Sequence, residues 1–397
     1  MSRARIAVAD DSSFIRRALA RVLADEPTLE VVGLAASGEE LLLRLDEWQP
    51  DAVVLDLSMP GMGGLLTLDA LLARRPLPVL ILSTHSRRGA PETIEALHRG
   101  ATDFIDKQEV SLVDFESLRQ VLVEKLGQMT GGGAAAAVAA AGHGAAAAAA
   151  PPAPAAASSA AVSAGAAAAP APSAAVSVGG SALAPSAAVS AAAPAAAPAP
   201  AGIDLLVFGA STGGPPAIER ILRDLGAALP VPVAVVQHMP AAFTRSFADR
   251  LDAHLPLRVR EAAHHQALLP GGVYIARGGL HLLVERERDA LRAVLAAAPE
   301  AAPHRPSVDA LFTSAAAATR GRLVAVLLTG MGVDGAAGMA ELARAGVHTI
   351  AQDRASSVIF GMPRAAIDAG SALEVLPLAR IGPRLLELLG QARAGAK

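Results

Sequence analysis

Cysteine is absent from the 397 residues, so no disulfide framework and no thiolate metal site exist. Aromatic side chains are scarce, with one Trp, one Tyr and eight Phe. The apolar content of 52% is therefore inflated by Ala. Neither sign of charge dominates: 34 Lys and Arg face 37 Asp and Glu, a net charge of −3. With no basic stripe along the chain, nothing argues electrostatically for a nucleic-acid partner. A long hydrophobic run is missing too. Met1 to Arg5 lead straight into a short strand-like segment, without the apolar stretch of a signal peptide. The most Ala-rich stretch, 134–150, holds His143, glycines and almost no Leu, Ile or Phe. Ala is too weakly hydrophobic to drive insertion. The expectation is a chain with no membrane insertion, placed in the reducing cytoplasm.

What is present divides sharply by composition. Between Thr130 and Gly202 the chain is almost only Ala, Pro, Gly, Ser and Val, with no Asp, Glu, Lys or Arg. Such a segment cannot specify a packed core, and 131–202 is expected to be an Ala/Pro-rich flexible linker. Ala runs favour helix while scattered prolines favour extended chain, so its stiffness stays open. The remainder is long enough for two domains, at 4–126 and 203–390.

In the first, apolar runs at Ile6–Ala9, Val31–Leu34, Ala52–Leu57, Val79–Leu82 and Phe104–Ile105 alternate with amphipathic stretches such as Phe14–Leu23 and Phe115–Leu126. Five short strands with interleaved helices predict a doubly wound parallel α/β sheet. Alternation resumes after the linker. Leu205–Phe208, Val233–Val236, Val273–Ala276 and Leu323–Leu328 read as strands; Ala217–Leu225, Phe243–Leu251, Val308–Ala316, Ala336–Ala345 and Leu385–Leu389 read as helices. A second α/β domain is expected.

Ligands of open α/β sheets bind at the carboxyl ends of strands. Asp10 and Asp11 close the first strand, Asp56 the third and Ser83 the fourth, while Lys107 follows the fifth. Three converging carboxylates repel one another unless a cation lies between them, and hard oxygen ligands suit Mg2+. A lysine and a hydroxyl nearby suit a phosphoryl group, and an aspartate, best Asp56, can accept it covalently. Each acid taken alone reads as well as a helix cap or turn residue; their coincidence at the strand ends favours the site.

In the second domain Gly209-Ala210-Ser211-Thr212-Gly213 follows a strand and precedes a helix. This strand, tight turn and helix match G-x-S-x-G and expose Ser211 where a helix N-terminus stabilises negative charge. A structural turn with a capping Ser fits the same text. His238 follows the next strand, and Asp334 lies in a Gly-rich loop after a later one. In a parallel sheet these loops share one edge, so Ser211 would attack, His238 take its proton and Asp334 orient the imidazole. The Met331 N–H in the Gly330–Gly332 loop is the candidate oxyanion donor. This chemistry calls for no cofactor. His264, His265 and His281 show no metal-ligand spacing and read as surface or loop residues. His304 and Arg305 either line the cleft or serve structure.

Val8-Ala9-Asp10-Asp11-Ser12-Ser13, Leu55 to Gly64 and Gly100 to Lys107 resemble the flavodoxin-like (βα)5 receiver domain of response regulators. The resemblance implies that Asp56 accepts phosphate from a histidine kinase. It implies Mg2+ held by Asp10 or Asp11, Asp56 and the Ser58 carbonyl, with Ser83 and Lys107 as switch residues. Gln108 replaces the Pro usual after that lysine, so the loop is expected to differ in shape. Farther on, Gly209 to Gly214, Gln237-His238-Met239-Pro240, His304 to Asp309, Leu328 to Gly332, Asp334 to Met339 and Phe360-Gly361-Met362-Pro363 resemble the CheB family of chemotaxis methylesterases. The order Ser, His, Asp also differs from that of the ordinary α/β-hydrolases. The implied catalytic residues are Ser211, His238 and Asp334. The implied substrates are glutamate methyl esters, and in some members glutamines, on methyl-accepting chemotaxis receptors. A receiver-controlled scaffold without catalysis, or an esterase acting on another receptor-like protein, are the competing readings.

Overall fold

The short apolar runs form the strands the sequence predicts. The computed structural model describes residues 3–83, 89–107, 115–131, 202–227, 229–298 and 302–394. β1 (Ala4–Ala9), β2 (Leu29–Ala35), β3 (Ala52–Asp56), β4 (Val79–Ser83) and β5 (Asp103–Asp106) make a five-stranded parallel sheet in the order β2-β1-β3-β4-β5. β3 and β4 are buried along their whole length, as strands covered on both faces must be, and they read as apolar runs up to their last residues, Asp56 and Ser83. Crossovers run through α1 (Ser13–Ala24), α2 (Gly38–Trp48), α3 (Gly63–Arg74) and α4 (Gly89–His98), and α5 (Phe115–Thr130) closes this part. Ser12 and Ser37 cap α1 and α2, each accepting an amide of the first turn.

β6 (Leu205–Ala210), β7 (Val233–Gln237), β8 (Arg258–Glu261), β10 (Gly272–Ile275), β13 (Leu323–Leu327), β14 (His348–Gln352) and β15 (Glu374–Leu376) form a seven-stranded parallel sheet. Its order is β15-β14-β13-β6-β7-β10-β8. α6 (Gly214–Leu225), α7 (Ala241–His254), α8 (Val308–Thr319), α9 (Ala336–Arg344), α10 (Met362–Asp368) and α11 (Leu378–Ala394) accompany it. A small antiparallel sheet, β9 (Gln266–Ala267), β11 (His281–Glu287) and β12 (Ala290–Ala296), lies beside them in the order β11-β12-β9. From β6 the sheet grows toward β7 in one direction and toward β13 in the other. Such a reversal opens a crevice at the strands' carboxyl ends.

Several elements escaped the sequence reading. β14 carries His348, Thr349 and Gln352, polar residues that are nonetheless buried. Each has a partner: His348 Nε2 lies 2.7 Å from Glu374, the Thr349 hydroxyl donates to Ser371 O at 2.8 Å, and Gln352 Oε1 accepts from Thr329 N at 2.9 Å. The predicted helix Leu385–Leu389 is the middle of the longer α11, which tolerates Pro383 in its interior. His281, expected at the surface, is wholly buried at the start of β11, where its Nδ1 accepts from Ser307 N at 3.2 Å. Gln108 and residues 132–201, on which the loop-shape and linker expectations fall, lie outside the described residues.

The two sheets share packing. α4 lies against α6 and α7. The Phe104 and Phe243 rings meet at a centroid distance of 4.6 Å, tilted by 47°. Glu95 pairs with Arg250, and His98 on α4 touches Glu219 on α6.

Candidate active site

β6 ends at Ala210, and α6 starts at Gly214. Only three residues make the turn between them, which forces Gly213 to φ 76°. A Cβ there would also stand 2.6 Å from Val358, so Gly213 serves both conformation and space. The turn is held on both sides. Ser211 N donates to Thr329 O at 3.0 Å, Gly214 N donates to Ser211 O at 2.8 Å, and Gln237 Nε2 donates to the same carbonyl at 2.9 Å. His238 N donates to Ala210 O at 3.0 Å, which sets the β7 end against the nucleophile turn.

His238 Nε2 lies 2.8 Å from Asp334 Oδ2. With Nε2 engaged by Asp334, Nδ1 is the ring nitrogen that remains for a second partner. Asp334 is buried and rich in donors. Its carboxylate accepts from Ser307 Oγ at 3.0 Å, Val308 N at 2.7 Å and Asp309 N at 3.1 Å. It thus sits on the N-terminus of α8, not on the helix that follows it in sequence, whose Gly335 cap offers no side chain. Burial alone would raise the Asp334 pKa, but the His238 bond and charge and the α8 amides hold it well below the usual carboxylate range. Asp309, next to it, moves the other way, pushed up to about 6 by burial and by the Asp334 charge.

His304 stacks on His238, with centroids 4.2 Å apart and planes 27° apart. Burial, and then the neighbouring His238, keep its pKa below the ordinary value. Of the two sequence readings for His304, the structure places it at the site.

Gly330 brings the loop after β13 against Ser211: a Cβ on it would stand 2.8 Å from Ser211 Cβ and 2.4 Å from Met362 Sδ. Its N–H is engaged by Ile359 O at 3.0 Å. Among the described residues nothing accepts from the Met331 amide, the expected oxyanion donor. Gln237 and Ser307, which orient the turn and Asp334, were not singled out from sequence. The motifs Gln237-His238-Met239-Pro240 and His304 to Asp309 carried them unremarked.

At the carboxyl edge of the first sheet, ligand atoms of Asp10, Asp11 and Asp56 all lie within 4.8 Å of one another. Lys107 Nζ lies 2.9 Å from both Asp10 Oδ2 and Asp56 Oδ2. Burial opposes its charge, but the two facing carboxylates outweigh that and raise its pKa. Asp10 is raised as well, by burial first, with Lys107 pulling the other way. The Ser83 hydroxyl is engaged by Thr93 of α4. At the start of β5, Asp103 forms a hydrogen bond with Thr212, the residue after Ser211, and an ion pair with Lys125. The amino end of the edge strand β5, opposite the Asp10, Asp11 and Asp56 cluster, is thereby tied directly to the Ser211 turn.

Comparison with known proteins follows the same division. A family model described as CheB methylesterase matches residues 206–385, and one described as response regulator receiver domain matches residues 6–121. A protein-glutamate methylesterase/protein-glutamine glutaminase of Geobacillus kaustophilus is 38% identical over 394 residues, covering 98% of this chain and 100% of that protein. One of Moorella thermoacetica is 40% identical over 418 residues, covering 97% and 98%. The crystal structure of the Thermotoga maritima CheB methylesterase catalytic domain is 39% identical, covers 47% of this chain and 99% of its own, and has a TM-score of 0.46. No helix among the described residues is long and apolar enough to cross a membrane. Full-length identity at this level, with both family models in the same order, places the chain in the CheB family of receiver-linked methylesterases.

Proposed function

We propose that this chain is a phosphorylation-activated protein-glutamate methylesterase of chemotaxis adaptation that also deamidates glutamine, with a receiver domain at 4–126, a linker at 131–202 and a catalytic domain at 203–390. Its substrates are methyl-accepting chemotaxis receptors and its phosphodonor a histidine kinase, in the cytoplasm. The observation that carries the reading is the His238–Asp334 pair set beside the Ser211 turn.

Ser211 Oγ attacks the γ-ester carbonyl as its proton passes to His238 Nδ1. The oxyanion is stabilised by the Met331 N–H. Collapse breaks the C–O bond, and methanol leaves with the proton from His238. Water then attacks the acyl-enzyme, again deprotonated by His238, and releases glutamate and Ser211. A glutamine follows the same course with ammonia as leaving group, which demands more of His238 as acid. Asp334 stays ionised throughout.

Asp56 is the phosphate acceptor, with Ser83 and Lys107 as switch residues. The carboxylates of Asp10, Asp11 and Asp56 are close enough, and of the right chemistry, to hold Mg2+, which would offset charge on the incoming phosphoryl group. Control follows from the packing. The Thr212–Asp103 bond and the Phe104–Phe243 contact hold the receiver over the Ser211 edge. Turning Ser83 toward a phosphoryl group breaks its bond to Thr93 and loosens α4, the helix docked on α6 and α7.

The test is methanol release from methylated receptor. Ser211→Ala is expected to abolish it, and Asp56→Asn to keep basal release but lose stimulation by a phosphodonor. Full release by Ser211→Ala would overturn the catalytic assignment; stimulation surviving in Asp56→Asn would overturn the regulatory one.

A further inference from the structure

Beside the nucleophile turn lies a cavity of about 380 Å³ that the proposed chemistry does not use. Gly332, Arg354, Phe360 and Arg364 line it from the catalytic part, and Gln128 and Gly131 from the end of α5. Two arginines, both exposed, are among its lining residues, and no acidic side chain is. Arg354 stacks over the Phe360 ring at 5.6 Å, and among the described residues no carboxylate pairs with it. Arg364 has only the exposed Asp368, one helical turn away at 3.2 Å. Such a pair holds an arginine weakly.

The cavity wall is continuous with the reaction centre. Gly361 N and Met362 N donate to Gly330 O at 3.1 and 2.9 Å, and Gly330 bridges to Phe360. Thr329 Oγ1 joins Thr212 O and Ile359 O at 2.9 and 3.2 Å. One rigid seam therefore connects the 357–361 wall to the residues around Ser211. Val358, which lines the cavity, stands 2.6 Å from where a Cβ on Gly213 would be, two residues past Ser211.

We infer that Arg354 and Arg364 form a carboxylate subsite that holds an acidic side chain of the substrate segment flanking the ester. Arginine suits this role because its planar fork matches a carboxylate and stays charged. The proposal rests on the methylesterase reading and deepens it. The enzyme would prefer ester positions near carboxylates, including those its own earlier turnovers have produced. Gln128 and Gly131 line the same cavity, so the docked receiver narrows the subsite along with the nucleophile.

The experiment uses the full chain treated with a small-molecule phosphodonor and two versions of one peptide γ-methyl ester, flanked by Glu or by Gln. The native chain is expected to show kcat/KM about tenfold higher for the Glu-flanked peptide, equivalent to about 1.4 kcal/mol. The preference should reside in KM and shrink with added salt. Arg354→Gln/Arg364→Gln is expected to bring the ratio to about one, and Arg354→Glu to invert it. An equal rate on both peptides in the native chain, or a ratio unchanged in the double variant, overturns the subsite. Binding of both peptides to Ser211→Ala, read by fluorescence anisotropy, separates the two ideas. Glu-selective binding that depends on both arginines, without any turnover by the native chain, would refute the methylesterase reading and leave the subsite standing. Turnover without selectivity would do the reverse.

Discussion

Gly330 bears no side chain because Ser211 and Met362 leave no room for one. Gly330→Ala must push the loop away from the nucleophile turn. Misplacement on the scale of an ångström costs on the order of a hundredfold in rate. The expected outcome is a fall in kcat of that order with KM nearly unchanged, and steady-state kinetics on a methylated peptide check it. Asp309 offers a pH signature. It is raised to about 6 from an ordinary 3.8. A raised acid binds a proton in the fold where the unfolded chain has released it, so the native chain gains stability as pH falls from about 6 toward 4. Asp309→Asn stays neutral and keeps an oxygen for the Gly338 N–H, which now lies 2.6 Å from Asp309 Oδ1. Its Tm should exceed that of the native chain above pH 6 and converge with it near pH 4; a gap independent of pH would refute the assignment. Asp309 lay unremarked in the His304 to Asp309 motif, but Ser211, His238 and Asp334 were legible from sequence, because strand ends of a parallel sheet gather them. The direction of the imidazole was not, since Asp334 reaches Nε2 only through its place on α8, an element far away in the chain.

At the scale of elements, α8 works as a mount for the Asp334 carboxylate. Ser307 caps the helix through Ala310 N at 3.3 Å and also donates to Asp334. Ser307→Ala removes both and is expected to cost about 1 kcal/mol of stability. It should also lower kcat more than KM, because the helix end that fixes Asp334 frays. Thermal melts together with Michaelis–Menten analysis check the two effects. Strand recognition shows where periodicity fails. β6, β7 and β13 announce themselves by buried apolar runs, whereas β14 hides His348, Thr349 and Gln352 by pairing each polar group with a partner distant in sequence. Short-range patterns do not contain those partners. β8 fails differently: two of its four residues are exposed arginines, and only Val259 points inward.

At the scale of the whole molecule, the proposed control makes the interface between the two sheets the regulated object. Glu95 of α4 pairs with Arg250 of α7. Reversing one partner, as in Glu95→Arg, should shift docking by about 1 kcal/mol, or about fivefold in the undocked population. Basal methanol release without phosphodonor should rise accordingly, and the swap Glu95→Arg/Arg250→Glu should restore restraint. A swap as leaky as the single variant would argue that the pair is incidental to docking. None of this contact was legible beforehand, because neither half's motifs specify the face it presents to the other.

The apolar core adds one consequence. A single buried cluster runs from Leu45 and Leu68 through Ile94 and Phe104 to Phe243 and Leu385, crossing from one sheet to the other. Heat should therefore meet one cooperative melting unit in the resting enzyme. A calorimetric scan would record a single endotherm there, and separate endotherms once phosphorylation parts the sheets.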